Sequence, residues 1–269
     1  MKGKVSIVSP ESLGEDLALV TKGVIKAGNY ARAKWGFDRA MHAKGINEGI
    51  VTKTDMEVNS LIIDFLQKNF PNDRILTEES YLEGTRVGNS YFIVDPIDGS
   101  NHFARGLHDW AIVVARVINR KIDSGVVFAP TVQELYYTKQ GKGAYKNGVR
   151  MSVSTRELIG VQIGHDVVRY FGRTDIEERA IKLSQMHWVT GSTQLALARL
   201  ANGQIELAIN MGQPIWDFAA GKLMIEEAGG KFTDFNGNTE FDISGRKTNN
   251  FVASSSLHHR QGMRIVKGL

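Results

Sequence analysis

The most informative part of this chain is YFIVDPIDGSN, residues 91–101. Its first four residues are apolar and predict a buried strand that stops at Asp95-Pro96. Two carboxylates three residues apart, Asp95 and Asp98, then enter a turn. Pro96 fixes one backbone angle there, and Gly99 permits close approach to a ligand. A strand end of this kind projects polar side chains into a cleft.

This turn carries the oxygen ligands that hard divalent cations prefer. Asp95 and Asp98 repel each other unless a cation or a proton lies between them. The carbonyl of Ile97 is a further candidate ligand, and Ser100 and Asn101 offer groups suited to phosphate or water. The alternative is an ordinary Asp-Gly turn with a helix cap, which the full pattern after a buried strand disfavours.

Three other acidic segments fit the same site. Glu78 and Glu79 follow a short predicted strand, so adjacent strands would bring Glu78 beside Asp95; the alternative is a solvated charge pair. Asp217, in WDFAAG at 216–221, lies in the first turn of a helix predicted to begin at Ile215. Asp55, in VTKTD at 51–55, begins another helix. For both aspartates, helix capping is the competing interpretation.

The first half reads as helices followed by strands with short links, which favours an antiparallel sheet with helices packed on it. Predicted helices cover 11–35, with Ser12 and Glu15 as a capping box, and about 54–70. Residues 36–49 form a loop or weak hairpin, and 84–89 a turn. The predicted strands are 74–77, 91–94, 110–118, 125–129 and 134–138, and a turn-rich stretch covers 141–148.

The second half alternates strands with helices. Its predicted strands are 161–164, 206–209 and 251–254, and its predicted helices are 176–183, 193–200 and 215–228. The fold class is therefore α+β, with an N-terminal metal-binding lobe at 1–150 and a C-terminal mixed α/β substrate lobe at 151–269. We expect the two lobes to form one compact unit.

The composition argues against several classes of protein and of site. The 269 residues are 42% hydrophobic and carry a formal charge of +4, with basic residues scattered rather than gathered in runs, so no nucleic-acid partner is expected. The absence of cysteine excludes disulfides and thiolate sites. No apolar run approaches the roughly 20 residues of a membrane span, and the N-terminus lacks a signal-peptide core. We expect a cytoplasmic protein without a membrane partner.

At this point the motifs resemble a known family. Residues 95–101 and 216–221 are similar to the two signatures of the inositol monophosphatase family. The Glu78-Glu79 pair, residues 51–55 and the Gly141-to-Gly148 stretch follow in the family's order. The resemblance implies a layered αβαβα fold, a homodimer, two to three Mg²⁺ ions per active site, and hydrolysis of a small phosphorylated polyol or sugar.

The resemblance also implies residue roles. The metal ligands it implies are Glu78, Asp95, the Ile97 carbonyl, Asp98 and Asp217. Asp55, Glu78 and Ser100 would serve catalysis by orienting and activating the attacking water, and the Gly99 and Ser100 amides would bind phosphate. The substrate contacts it implies are Asp98, Gly99, Ser100, Gly191, Ser192, Thr193, Asn210 and Asp217.

The substrate side departs from the family pattern. Thr193 replaces the usual alanine after Gly191-Ser192, Trp188 stands where an arginine is common, and Asn210 replaces a sugar-binding glutamate. Arg169 and Arg173 lie either on a solvated surface or in a clamp for a second anionic group. Within the enzymes, the resemblance leaves three kinds of substrate open: an inositol or sugar monophosphate, fructose 1,6-bisphosphate, and histidinol phosphate or an adenosine bisphosphate. We favour the first, with the second as a candidate dual activity. A catalytically silent regulatory member is the alternative outside the enzymes.

Overall fold

The computed structural model describes residues 7–37, 41–43, 50–81, 88–243, 245 and 248–268. The helices are α1 Pro10–Leu13, α2 Glu15–Lys34, α3 Lys53–Asn69, α4 Ser100–Ala104, α5 His165–Arg169, α6 Thr174–Leu183, α7 Thr193–Ala201, α8 Ala219–Glu227 and α9 His259–Lys267. A 3₁₀ turn, Ile215–Asp217, precedes α8. None of the helices within these ranges is long and apolar enough to span a bilayer.

The strands form two large sheets and a small hairpin. In chain order they are β1 Met41–Ala43, β2 Ile50–Thr52, β3 Arg74–Thr77, β4 Ser90–Asp98, β5 Ala111–Ile118, β6 Lys121–Ala129, β7 Glu134–Lys139, β8 Gly143–Lys146, β9 Val149–Arg150, β10 Gly160–Ile163, β11 Met186–Trp188, β12 Leu207–Gln213, β13 Lys231–Asp234 and β14 Asn249–Ser254. Strands β1 and β2 pair antiparallel. The loop or weak hairpin expected over 36–49 is tested only in part, since β2 begins at Ile50 and residues 38–40 and 44–49 lie outside the described residues.

The first sheet runs in spatial order from β3 to β9. Its strands pair antiparallel, as predicted, except that β3 and β4 run parallel. Strand β4 continues beyond its predicted end to Asp98, with an irregular pairing to β5 between Asp95 and Asp98. Pro96 lies within this irregularity, where a residue without an N–H cannot donate to the ladder.

The second sheet has the order β11-β10-β12-β14-β13. Strand β10 pairs parallel with β11 and β12, whereas β14 pairs antiparallel with β12 and β13. Both sheets are therefore mixed. The first contains the strands of residues 74–150 and the second those of residues 160–254, and the lobe boundary near residue 150 stays a prediction.

Three clusters of buried side chains show how the layers stack. The first contains residues of α2 and α3 with one face of the first sheet, such as Val24, Ile62 and Val114. The second lies between the two sheets and includes side chains of α7 and α8. In the third, Ile176 of α6 and Ile265 of α9 pack on the far face of the second sheet. This order, helix–sheet–helix–sheet–helix, confirms the αβαβα fold class.

The predicted helix over 11–35 is wrong at its start. Gly14 has φ 143° and separates α1 from α2, a conformation that residues with a side chain rarely adopt. The expected capping box of Ser12 and Glu15 is also wrong. The Ser12 hydroxyl donates to the Ser9 carbonyl, and Gly14, the N-cap of α2, has no side chain to cap with.

The helix predicted over 215–228 is interrupted. Residues 215–217 form the 3₁₀ turn, Phe218 has φ −143°, and α8 begins at Ala219. Asp217 therefore precedes the helix and is not its N-cap, which is Phe218. The turn predicted at 84–89 falls mostly on residues 84–87, which lie outside the described residues.

Candidate active site

The parallel pairing of β3 with β4 brings two carboxylates together. Thr77 pairs with Val94, so the residues that follow them, Glu78 after the end of β3 and Asp95 within β4, lie side by side. The Glu78 N–H donates to the Val94 carbonyl at 3.2 Å and extends this register by one step. The prediction that adjacent strands place Glu78 beside Asp95 therefore describes the geometry correctly.

A third carboxylate reaches the same point from the second half of the chain. Carboxylate oxygens of Glu78, Asp95 and Asp217 all lie within 4.8 Å of one another. The 3₁₀ turn that carries Asp217 is anchored by the buried Trp216, whose ring lies 5.8 Å from that of Tyr81. Helix α8 then packs closely on the first sheet, since a Cβ on Gly125 would lie 2.9 Å from the Cβ of Ala220.

Asp98 lines the same cleft but has additional bonds to α7. Its Oδ2 accepts hydrogen bonds from the Ser192 hydroxyl at 2.6 Å and the Gln194 N–H at 2.7 Å. Burial raises the pKa of Asp98, the two hydrogen bonds oppose that shift, and the charge of Glu78 adds to it. A cation among these acids would favour the charged form of each.

The Ser100 hydroxyl is oriented by a buried aspartate. Ser100 Oγ lies 2.6 Å from Asp55 Oδ1 and 2.9 Å from the Ile97 carbonyl oxygen. The other Asp55 oxygen accepts from the Thr52 N–H at 2.9 Å and from the Thr52 hydroxyl. Asp55 thus forms a capping box at the start of α3 and also contacts Ser100, so the two interpretations of this residue are compatible.

Gly99 allows the metal-ligand turn to touch the substrate-side segment. Its φ is +96°, and a Cβ there would lie 2.9 Å from the Asp109 carbonyl oxygen and 3.0 Å from that of Gly191. The Asp109 carboxylate accepts from the Gly191 N–H at 2.8 Å and from Arg199 at 2.6 Å. This contact fixes Gly191 beside the turn.

One cleft collects most of the predicted site residues. It measures about 160 Å³, room for a phosphate group with ions rather than a single water. The predicted residues that line it are Glu78, Asp95, Ile97, Asp98, Gly99, Ser100, Gly191, Thr193, Asn210 and Asp217. Asp55 and Ser192 lie behind this lining, and the Ser192 hydroxyl accepts from Leu195 N–H as the N-cap of α7.

A polar wall from the second sheet completes the cleft, and sequence reasoning missed most of it. The residues it missed are Gln162, Asp166, Thr190 and Gln213. Asn210 donates to Gln162 at 3.0 Å. Gln213 donates to Asp166 at 3.0 Å and accepts from Thr193 at 3.1 Å. Gln162 and Gln213 stand near the ends of β10 and β12, but this position alone did not distinguish them from other neutral amides.

The residues at the family's departures lie in different places. Asn210 lines the cleft, whereas Trp188 lies in edge strand β11 against Gly160, whose Cβ would come within 2.3 Å of the ring. Arg173 is engaged by Asp175 at 2.7 and 2.8 Å, and Arg169 lies over the Tyr170 ring. Neither arginine is among the lining residues.

The donor set fits a hard divalent cation. Every candidate ligand offers oxygen, and the cluster gathers like charges that a cation would hold together. Among the lining residues that the structure describes, none is Lys, Arg or His.

Comparison with known proteins agrees with this geometry. A model of the inositol monophosphatase family matches residues 15–267. The fructose-1,6-bisphosphatase/inositol-1-monophosphatase of Thermotoga maritima is 32% identical over 243 residues, covering 90% of this chain and 91% of that protein. Nus factor SuhB of Escherichia coli K12 is 33% identical over 262 residues, covering 94% and 93%.

A solved structure shows the same fold. The inositol monophosphatase (IMPase) of Thermotoga maritima superposes with a TM-score of 0.85 at 32% identity, covering 94% of this chain and 97% of that one. Since the family model spans nearly the whole sequence and the folds agree, the chain belongs to the inositol monophosphatase family.

Proposed function

We propose that the protein is a Mg²⁺-dependent phosphomonoesterase that hydrolyses a small phosphorylated polyol. Family membership supports a phosphatase of the inositol monophosphatase or fructose-1,6-bisphosphatase type. The observation that carries the proposal is the meeting of Glu78, Asp95 and Asp217 within 4.8 Å, in the cleft that Ser100 also lines.

The acidic cluster would hold the metal. Glu78, Asp95 and the Ile97 carbonyl would bind one ion, Asp95, Asp98 and Asp217 a second, and Glu78 would contribute to a third. When bound, Mg²⁺ supplies Lewis-acid chemistry, which neutralises charge on phosphoryl oxygens and makes a nearby water easier to deprotonate. The hard oxygen donors of the described lining support this choice of metal.

The pair Asp55 and Ser100 would handle the proton of the attacking water. The Ser100 hydroxyl donates toward Asp55, so its lone pairs can accept a hydrogen bond from a water in the cleft. Proton movement from that water to Ser100 Oγ, with the serine proton passing to Asp55 Oδ1, requires no change of heavy-atom position. The buried position of Asp55 keeps this acceptor out of bulk water.

The backbone of the turn would bind the phosphate. The Gly99 and Ser100 N–H groups stand at the start of α4, and the left-handed conformation of Gly99 shapes the turn around the ligand. The water would attack phosphorus in line, and the leaving oxygen would depart toward the polar wall. No covalent intermediate is proposed.

The polar wall favours a hydroxyl-rich monophosphate. Gln162, Asn210 and Gln213 present amides that can donate to and accept from hydroxyls, and Thr193 adds a hydroxyl. A second phosphate would meet the Asp166 carboxylate here, with no cationic side chain in the described lining. Inositol or sugar monophosphates are therefore the first candidates, and a dual activity on fructose 1,6-bisphosphate is the next, by analogy with the dual name of the Thermotoga relative.

A phosphate-release screen tests the proposal. Purified protein is incubated with inositol 1-phosphate, fructose 1,6-bisphosphate, histidinol phosphate and 3′-phosphoadenosine 5′-phosphate, with Mg²⁺ or with EDTA. We expect Mg²⁺-dependent release with the strongest rate on a monophosphate. Absence of release from every substrate, although Mg²⁺ stabilises the protein, would contradict it.

A regulatory role is the second candidate, favoured by relatives named Nus factor SuhB at 33% identity. A silent member would bind its partner equally well after the carboxylate cluster is disabled. Purified protein without Mg²⁺-dependent turnover, but with partner binding that survives Asp95→Asn, would favour this alternative. The expectation that no nucleic acid takes part stays a prediction.

We also propose a homodimer and a cytoplasmic location. Four large apolar side chains on α6, on edge strand β11 and on the residue after it are about half exposed: Ile181, Leu183, Met186 and Val189. Exposed apolar surface beside a sheet edge is typical of an interface between subunits. Light scattering of the purified protein checks the dimer.

A further inference from the structure

Gln194 lies between the two signature segments and is fully buried. Its Nε2 donates to the Trp216 carbonyl at 2.6 Å, and its Oε1 accepts from the Gly221 N–H at 2.8 Å. Its backbone N–H donates to Asp98 Oδ2 at 2.7 Å. One residue therefore contacts Asp98 and the segments on both sides of Asp217.

The Gly221 bond replaces a missing helix cap. The first N–H groups of a helix have no partner within it, and a side chain at the N-cap normally supplies one. The N-cap of α8 is Phe218, which makes no side-chain cap. Gln194 provides the acceptor from another helix, and a Cβ on Gly221 would lie 3.0 Å from its Oε1.

The Trp216 bond fixes the other side of Asp217. Trp216 is the residue before Asp217 in the 3₁₀ turn, and its carbonyl accepts from the same side-chain amide that caps Gly221. Both ends of the segment 216–221 are thus hydrogen-bonded to the side-chain carboxamide of Gln194. The backbone N–H of the same residue donates to Asp98, so Gln194 links Asp98 with the segment that carries Asp217.

We propose that Gln194 is a positioning residue that sets Asp217 against Asp98 so that the two can share a divalent cation. This inference rests on the proposed function, since it concerns the cation that those carboxylates would bind. The proposal does not require Gln194 to touch substrate, phosphate or metal. The proposal predicts that loss of the Gln194 side chain weakens Mg²⁺ binding more than substrate binding. The polar wall that would contact the substrate is built from other residues.

The test replaces Gln194 with methionine, which keeps nearly the same volume and removes both side-chain bonds. Mg²⁺ affinity is measured by calorimetry in the presence of inorganic phosphate, and activity is measured as a function of Mg²⁺ and of substrate. Loss of such supporting bonds weakens metal binding by about 10- to 100-fold. We expect a shift of this size in the Mg²⁺ dissociation constant, with KM at saturating Mg²⁺ close to the wild-type value, because the substrate contacts are not removed.

A matched control is Leu200→Ala in the same helix. Leu200 is equally buried and lies in the core between the sheets, so its truncation leaves a cavity without touching these bonds. The control should lose stability and keep the wild-type Mg²⁺ affinity. Gln194→Met with wild-type Mg²⁺ affinity would overturn the inference, as would an equal loss of affinity in Leu200→Ala.

Hydrogen exchange of the wild-type protein covers the case in which Gln194→Met does not fold. The Gly221 amide should exchange much more slowly than a first-turn amide without a hydrogen-bond acceptor. Exchange of Gly221 at the rate of an unprotected amide would overturn the inference. Wild-type protein that binds no Mg²⁺ would instead refute the proposed function, so the two failures are distinguishable.

Discussion

Replacing Asp217 with asparagine should separate the stability of the ion-free protein from its response to Mg²⁺. A carboxylate oxygen of Asp217 lies within 4.8 Å of carboxylate oxygens of both Glu78 and Asp95. Asp217 therefore takes part in two repulsive pairs. The Coulomb repulsion within each pair is about 1 kcal/mol at the dielectric constant of water and about 3.5 kcal/mol at an effective dielectric constant near 20. Neutralising Asp217 relieves both, so the ion-free variant should melt no lower than wild type.

The Mg²⁺ response should change in the opposite direction. At a concentration of 100 times the dissociation constant, a bound ion stabilises the fold by about 2.7 kcal/mol. A hundredfold loss of affinity reduces this to about 0.4 kcal/mol at the same concentration. For chains near this size, each kcal/mol corresponds to about 2–4 °C in Tm. Wild type should therefore gain several degrees from Mg²⁺, and Asp217→Asn about one.

Thermal unfolding with and without Mg²⁺, combined with phosphate release, measures both effects. Asp64→Asn is the matched control, since it removes one exposed carboxylate of α3 that does not line the cleft. We expect the control to keep the Mg²⁺ response and turnover, and Asp217→Asn to lose both. An Asp217→Asn protein with a wild-type Mg²⁺ shift and wild-type turnover would refute the assignment of this cluster as the metal site.

Two further substitutions test other parts of the cleft. Ser100→Ala removes the hydroxyl that bonds Asp55 and should lower kcat by about 10²- to 10⁴-fold, with Mg²⁺ affinity retained; steady-state kinetics with unchanged kcat would contradict the proton-transfer role. Gly191→Ala places a Cβ about 2.2 Å from the His102 ring and should cost about 1–3 kcal/mol in unfolding free energy. Gly88→Ala, with open space around it, is its control in denaturant titrations, and equal stabilities of the two would show that the contact at Gly191 relaxes without cost.

Much of the fold was predictable because the central strands are continuous apolar runs. Strand β3 has its predicted bounds, and β5 differs from its prediction by one residue. Helix α9, which contains Gly262, was not predicted. In the structure that glycine is required, since a Cβ there would lie 2.6 Å from Leu207 and Val252 of the second sheet. Such a packing demand is not visible in a single sequence.

The candidate site also contains residues that were predictable from the sequence and residues that were not. Charged residues in distinctive motifs, such as Asp95 and Asp217, were identifiable from the sequence, and the structure places them in one cleft. Gln162 and Gln213 were not, because neutral amides at strand ends are common and only the assembled second sheet brings them to the cleft. The buried carboxamide of Gln194 was missed for a related reason, since its partners are backbone groups that sequence does not distinguish.

The carboxylates that would bind metal and the polar wall that would bind substrate belong to different parts of the fold. Glu78 follows the end of β3, and Asp95 and Asp98 lie in the last part of the neighbouring strand β4, so the strand register fixes their spacing. The polar wall comes from β10, β12 and the segment before α7, and its members bond chiefly to one another, as Asn210 does to Gln162. Substitutions in that wall can therefore alter substrate preference without moving the carboxylates. If the proposed function holds, we expect the departures at Thr193 and Asn210 to affect which phosphate ester binds and to leave the proposed hydrolytic chemistry unchanged.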